Sequence, residues 1–288
     1  MQSLSVLRLR GRKKVLARLG KAAFDYKIIQ LILGFDKVGT SIIDRVNSTL
    51  IEYDYNSAIG QSLFFGGAFE QDEIEFFTRF LAHETRPVVL DVGANIGLHS
   101  IGWARANKTA SIFAFEPSPS TGMILRRNIE RNSLDNTIEL MPLAVSDKCG
   151  KAQFFECEDN AFSSLKDTCR KKVIGTHLVP VTTIDEFVAG HQLDRISLLK
   201  IDVEGLEREV IFGAATTLRL LRPDLFVEIY AGTHSNPDPE GTIDLIRSQG
   251  YRAYVLVAGK PVPYEKHIDS LYNYYFTCKD NIPWAMEC

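Results

Sequence analysis

The hydrophobic positions of the chain follow two alternating periods from residue 88 onward. Runs of consecutive apolar residues, typical of buried strands, alternate with stretches in which apolar residues recur every three or four positions, typical of helices. The runs predict strands at residues 88–90, 111–116, 138–146, 196–203, 225–230, 251–257 and 270–278. The last two leave no room for a connecting helix, so they should be antiparallel. Apolar residues every three or four positions predict one helix over residues 206–221. The polar connection at residues 159–176 is unusually long for a compact domain, which suggests a function. The pattern predicts an α/β fold with a mostly parallel, doubly wound sheet and an antiparallel last strand.

The chain before residue 81 has a different pattern. Residues 1 to about 35 combine basic and apolar residues at helical spacing. Residues 40–70 look extended and rich in turns, with a strand predicted at residues 50–53. Residues 71–83 again repeat apolar residues as a helix does, with acids at the start. We therefore expect an N-terminal helical and extended cap over residues 1–80, followed by one α/β domain over residues 81–288.

A glycine turn follows the first predicted strand of the α/β domain. The stretch 88–97 reads VVLDVGANIG, in which the strand gives way at Asp91 to a turn and then to a helix. A strand, a turn and a helix in this order form small-molecule sites at the carboxyl end of a parallel sheet. Gly93 and Gly97 would let the backbone approach a ligand closely.

Acidic residues stand at or near the ends of four predicted parallel strands. They are Asp91, Glu116, Asp202 and Glu228. Parallel strands present their carboxyl ends at one edge of the sheet, so these carboxylates should gather around one crevice. Each acid alone can instead cap the helix that follows it. Four in register favour a ligand that offers hydroxyl groups or a positive charge.

Glu116 and Asn95 narrow the choice of ligand. Glu116 ends the second strand, 25 residues after Asp91, where an acid can accept the hydroxyl groups of a ribose. A nicotinamide dinucleotide and S-adenosylmethionine both contain this group. Asn95 occupies the position of the second glycine of a dinucleotide turn, which hinders approach of a pyrophosphate. A positively charged sulfonium ligand with an ammonium group suits Asp91 better.

Four ordered motifs resemble those of the FkbM family of S-adenosylmethionine-dependent methyltransferases. They are DVGANIG (91–97), FEPSP (115–119), AVSD (144–147) and KIDVEGLE (200–207). The segment IGQSLFFGGAFEQDE (59–73) and the SSL at 163–165 fit the same family, so the resemblance covers about residues 50–278. It implies a Rossmann-like class I methyltransferase fold and transfer of a methyl group, usually to oxygen.

The resemblance also implies positions for the cofactor. The turn with Asp91, Gly93, Asn95 and Gly97 would hold the methionine part, and Glu116 would hold the ribose. The residues near the adenine would be Ala144, Val145 and Ser146. Family members methylate sugars, lipid-linked glycans and secondary metabolites, so the expected partner is a small-molecule or glycan acceptor.

The acceptor is expected to meet the loop after the strand that ends in Asp202. Asp202 is the first candidate for an orienting or basic group, with Glu204 as its partner; Lys200 on the same strand face would keep Asp202 ionised. Glu228 and His234 are second candidates. Asp202 and Glu204 could hold a divalent metal, but neighbouring ligands are lacking, so no metal is expected. The competing functions are a nicotinamide-dependent oxidoreductase and a non-catalytic nucleoside-binding module.

Composition adds limits on partners and location. The net charge of −3 gives no basic field for nucleic acid. Five cysteines without a CxxC pair indicate reduced thiols and a cytoplasmic protein. The basic N-terminal helix is expected to pack on the protein with a solvated face, and the alternative is contact with an anionic membrane surface or an acidic partner.

Overall fold

The structure, a computed structural model, describes residues 41–46, 48–232 and 236–280. Two predictions, the basic helix within residues 1–35 and the catalytic candidate His234, lie outside these ranges. The chain forms two compact units, one that ends at Gln71 and one that begins at Asp72.

The first unit contains an antiparallel hairpin of β1 (Ser41–Val46) and β2 (Thr49–Asp54), followed by helix α1 (Ala58–Gly66). The strand predicted at residues 50–53 is confirmed, whereas the extended reading of residues 40–70 is wrong for α1. Ser57 caps this helix by accepting a hydrogen bond from the Gly60 N–H, and Gly67 ends it in the left-handed conformation.

The second unit is built on one eight-stranded sheet. Its order is β12 (Lys260–Pro263), β11 (Arg252–Val257), β13 (Asn273–Thr277), β10 (Asp224–Glu228), β9 (Leu198–Ile201), β3 (Val88–Val92), β4 (Ser111–Phe115) and β5 (Ile138–Met141). The five strands from β10 to β5 are parallel, and β13 lies antiparallel between β10 and β11. The predicted mostly parallel sheet with an antiparallel last strand is confirmed.

Helices cover both faces of this sheet. They are α2 (Gln71–Ala82), α3 (Leu98–Ala106), α4 (Pro119–Arg131), α5 (Ile184–Gly190), α6 (Glu207–Phe212), α7 (Ala215–Leu220) and α8 (Pro239–Arg247). Phe77 of α2 packs on Phe226 of β10, with ring centroids 4.8 Å apart. The neighbouring Leu225 and Val227 belong to a core cluster with residues of α5 to α8, because alternate strand residues point to opposite faces.

Three sequence predictions need correction. The predicted third strand at residues 138–146 stops at Met141, because Pro142 interrupts it. Ala144–Val145 form β6 instead, in a separate three-stranded sheet with β7 (Gly150–Cys157) and β8 (Val173–Thr182). The single helix predicted after residue 206 is divided near Gly213 into α6 and α7, and strand β12 was not predicted.

The predicted boundary between residues 80 and 81 falls inside α2, and the division of the chain into domains stays a prediction. Within the part that the structure describes, no helix has the length and apolar character needed to cross a membrane.

Candidate functional site

The turn after β3 is shaped by two glycines that face the protein itself. Gly93 has φ +82°, and a Cβ there would lie 1.7 Å from the Asp202 carbonyl oxygen. Gly97 has φ +90° at the start of α3, and a Cβ would lie 2.4 Å from Leu125 of α4. Side chains therefore fit neither position. The sequence analysis interpreted both glycines as space for a ligand. In the structure, the atoms that exclude a side chain at these positions belong to the protein itself.

Asp91 and Lys200 form a buried charge pair beneath this turn. Asp91 lies within β3 and is fully buried, with its Oδ1 3.4 Å from the Lys200 Nζ. The Ser100 hydroxyl donates to its other oxygen at 2.5 Å. The same Nζ lies 3.0 Å from Asp202 and donates to the Gly93 carbonyl at 3.2 Å. Lys200 thus joins the turn to Asp202, and the predicted pairing with Asp202 is present.

Glu116 follows β4 directly and is 7% exposed. Its two carboxylate oxygens accept hydrogen bonds from the Asn95 N–H at 3.0 Å and the Ser118 N–H at 2.8 Å. Burial raises the pKa of Glu116 from 4.5 to about 7, although these N–H groups act in the opposite direction. Each oxygen keeps acceptor capacity, so the carboxylate suits a vicinal diol such as a ribose.

Asn95 connects the turn to the segment between β7 and β8. It has φ +49°, a left-handed conformation that asparagine tolerates. Its Oδ1 accepts a hydrogen bond from the Asn160 Nδ2 at 3.0 Å, while the Asn160 Oδ1 is buried without a hydrogen-bond partner. An orphaned acceptor beside the turn fits a ligand that donates hydrogen bonds, as the ammonium and hydroxyl groups of S-adenosylmethionine do.

A cleft beyond Asp202 brings three of the predicted catalytic residues together. It is lined by Arg170, Asp202, Glu204, Gly205, Glu207, Glu228 and Tyr230. Asp202 follows β9 and Glu228 ends β10, so the cleft lies at the carboxyl edge of the parallel strands. Among the described residues, no group of three His, Cys, Asp or Glu side chains has the arrangement of a metal site.

Glu207 is a member of this cleft that the sequence analysis missed. It is 4% exposed and accepts a hydrogen bond from the Gly205 N–H at 2.9 Å. Burial raises the pKa of Glu207 from 4.5 to about 7, and the nearby Asp202 adds to this rise. Its position at the end of the KIDVEGLE motif could have indicated a role in the site. Glu207 was missed because an acid in the first turn of a helix is ordinarily explained by the helix dipole.

Arg170 and Tyr230 were also missed. Arg170 comes from the polar connection between β7 and β8, forms an ion pair with Glu204, and places its guanidinium 4.4 Å from the Tyr230 ring centroid. No local pattern distinguishes this arginine from its basic neighbours Lys171 and Lys172. Its place in the cleft becomes apparent only in the folded structure, where the connection lies against the loop that carries Glu204.

The predicted adenine-binding residues lie outside the main sheet. Ala144 and Val145 pair with Val181 and Thr182 of β8, and the Ser146 N–H donates to the Thr182 carbonyl at 3.0 Å. Their role stays a prediction.

Comparison with known proteins identifies the family. Residues 91–253 match the family model described as methyltransferase FkbM domain, more than half of the chain. Hexuronic acid methyltransferase AglP of Haloferax volcanii is 30% identical over 179 residues, which cover 62% of this chain and 67% of AglP. The 2-O-methyltransferase NoeI of Sinorhizobium fredii is 27% identical over 156 residues, which cover 49% of this chain and 63% of NoeI.

The solved methyltransferase FkbM from Methylobacillus flagellatus superposes with a TM-score of 0.47 at 16% identity, covering 66% of this chain and 43% of that chain. The chain thus spans less than half the length of this neighbour and about two thirds of the two relatives above. Because the family model matches more than half of its length, the chain belongs to the FkbM family of methyltransferases, which use S-adenosylmethionine.

Proposed function

We propose that this protein transfers a methyl group from S-adenosylmethionine to a hydroxyl group of a sugar or a related small metabolite. The proposal depends on two features at one edge of the sheet. One is a turn with a carboxylate suited to a nucleoside, and the other is a small cleft lined by carboxylates and one exposed tyrosine. Carboxylates accept hydrogen bonds from hydroxyl groups, and a tyrosine ring can pack on a sugar ring. Two relatives are named for a hexuronic acid and for a 2-O position.

Cofactor binding is assigned to the turn at residues 91–97 and to Glu116. Glu116 would accept the ribose hydroxyl groups, and Asn95 and Asn160 would face the methionine part. S-adenosylmethionine supplies an electrophilic methyl group, so the task of the protein is to bring the acceptor oxygen into line with it. Lys200 contacts Gly93 and Asp91 on the cofactor turn and Asp202 beside the acceptor. It would therefore fix the position of Asp202 relative to the cofactor.

Asp202 is proposed as the residue that orients the acceptor hydroxyl. Its side chain is 25% exposed, and Lys200 occupies only one of its oxygens, Oδ2, at 3.0 Å. The other oxygen can accept the hydrogen bond of the hydroxyl and direct its lone pair. Glu207, whose pKa of about 7 lies near neutral pH, can receive the proton as the oxygen becomes methylated.

An acceptor screen tests the proposal. Purified protein is incubated with S-adenosylmethionine labelled in the methyl group and with free sugars, glycosides, amino sugars and uronic acids, and labelled products are identified by mass spectrometry. We expect a methyl ether on a sugar hydroxyl. Label found only on nitrogen, or only as a methyl ester on a carboxylate, would contradict transfer to a hydroxyl group, and cofactor binding without any product would favour the non-catalytic binding module.

A further inference from the structure

The connection between β7 and β8, residues 158–172, borders the cleft beyond Asp202, the proposed acceptor cleft, and contributes Arg170 to its lining. We call this connection the wall. The Ser164 hydroxyl, on a residue only 3% exposed, donates to the Val203 carbonyl at 2.9 Å. Six residues later, Arg170 pairs with Glu204. Both contacts reach the loop that follows β9, so the wall is attached to the loop that carries Asp202. The connection was expected to be unusually long and polar, and these contacts give it a defined position.

Arg170 is held in a fixed orientation within this wall. Its guanidinium lies 4.4 Å from the ring centroid of Phe162 and 4.4 Å from that of Tyr230. A planar guanidinium packs between two rings in a way that a lysine ammonium does not reproduce. The side chain keeps 26% exposure, and that of its partner Glu204 keeps 15%. The charge of Arg170 therefore faces the cleft from a well-defined place.

The cleft has an unequal balance of charges. Its described lining contains four carboxyl groups, those of Asp202, Glu204, Glu207 and Glu228, and one cation, Arg170. Lys200 adds a second cation 3.0 Å from Asp202, and the raised pKa of Glu207, about 7, leaves that group partly protonated at neutral pH, so the cleft keeps a smaller excess of negative charge. A negatively charged acceptor would meet this excess of carboxylates, and the one cation in the described lining, Arg170, is already paired with Glu204. Charges separated by several ångströms near a protein surface interact strongly enough to change binding by about tenfold.

We propose that Arg170 is a specificity-determining residue that sets the charge of the accepted substrate. The cleft takes neutral or cationic polyhydroxylated acceptors in preference to anionic ones, which would distinguish this chain from the relative named for a hexuronic acid. Arg170 limits how strongly anionic acceptors are disfavoured. This inference rests on the proposed function, because it concerns the acceptor of the same methyl transfer.

The test compares sugars that differ in charge alone. Methyl glycosides of glucose, galactose and mannose are paired with their uronic acid and 2-amino counterparts, and kcat/KM is measured for each with labelled S-adenosylmethionine. We expect the wild-type protein to prefer the neutral member of each pair over the uronic acid. Arg170→Met should lower the ratio of uronic acid to neutral sugar by about tenfold, and Glu204→Gln should raise it by about tenfold.

Two controls separate charge from folding. Arg170→Lys keeps the charge and should keep a ratio near that of wild type, even if the lost packing lowers both rates. Arg126→Met removes an exposed arginine of α4 and should leave the ratio unchanged. If the ratio of kcat/KM for the uronic acid to that for the neutral sugar is equal in wild type, Arg170→Met and Glu204→Gln, this inference is wrong and the proposed function is unaffected. If no sugar is methylated, both the proposed function and this inference are wrong.

Discussion

At the scale of single residues, two buried glutamates, Glu116 and Glu207, have raised pKa values that should make cofactor binding and stability depend on pH. Glu116 is held by two backbone N–H groups, and burial raises its pKa to about 7. Only the ionised form accepts hydrogen bonds with both oxygens, so affinity for the cofactor should fall as the pH falls through about 7. Calorimetry with S-adenosylhomocysteine across this range measures the effect.

The variant Glu116→Gln removes that charge. We expect its affinity for S-adenosylhomocysteine to fall roughly 10- to 100-fold at slightly alkaline pH, since a hydrogen bond to a charged group is lost. Its affinity should also lose the pH dependence seen in wild type. Glu130→Gln, on the exposed side of α4, is the matched control. Equal affinities of wild type and Glu116→Gln would remove Glu116 from the cofactor site.

Glu207 should affect stability in a pH-dependent way. Burial raises its pKa from 4.5 to about 7, so its proton stabilises the folded state fully below pH 4.5, and this contribution is lost as the pH rises through 7. Glu207→Gln keeps an acceptor for the Gly205 N–H. The unfolding free energy of the variant minus that of wild type should therefore increase by roughly 3 kcal/mol from below pH 4.5 to above pH 7, because only wild type loses the contribution of Glu207 over this range.

Urea unfolding at several pH values measures this gain. Glu139→Gln, an exposed glutamate of β5, controls for the substitution itself. Parallel stability curves for wild type and Glu207→Gln would show that Glu207 titrates normally.

Sequence reasoning reached some of these residues and not others, for a physical reason. Glu116 and Asp202 were predictable because each follows a strong hydrophobic strand, and the parallel sheet brings such ends to one edge. Arg170 was not, because its position depends on a polar connection without periodicity. Glu207 was interpreted through its helix, since burial of a side chain at a helix start depends on tertiary packing.

At the scale of elements, the turn between β3 and α3 has the least tolerance for change. A Cβ at Gly93 would lie 1.7 Å from the Asp202 carbonyl oxygen, and the backbone there is left-handed. Gly93→Ala should lower the free energy of unfolding by about 3 kcal/mol or more, or prevent folding. At Gly190, by contrast, a Cβ would meet no atom within 4 Å. Gly190→Ala should therefore unfold at nearly the wild-type denaturant concentration, and an equally small loss in Gly93→Ala would contradict the packing described for the turn.

The strands of the main sheet were largely predictable, and their boundaries were not. Runs such as Leu198–Ile201 are apolar throughout because both faces of the strand are covered by helices. Interruptions depend on single residues: Pro142 sends the chain into a second sheet, and Gly213 lies against the Ser146 carbonyl, where a Cβ would come within 2.2 Å. The helix after residue 206 breaks near that close approach.

At the scale of the whole molecule, the sheet order explains how distant segments form one site. β9 lies between β3 and β10, so Asp91 and Lys200 become neighbours although 109 residues separate them in sequence. The family match rejects the nicotinamide-dependent oxidoreductase and agrees with the cofactor inferred from Asn95 and Glu116. The cytoplasmic location and the role of the basic N-terminus stay predictions.

The central claim is that one edge of this sheet binds the cofactor at residues 91–116 and orients a hydroxyl acceptor at Asp202. The most direct measurement compares wild type and Asp202→Asn for two quantities, the affinity for S-adenosylhomocysteine and the rate of methyl transfer to the best sugar of the screen. The account predicts an unchanged affinity and a rate lowered by about 100-fold, because the acceptor hydroxyl is no longer held in line with the methyl group. Equal transfer rates in the two proteins, or a wild-type protein that does not bind S-adenosylhomocysteine, would contradict it.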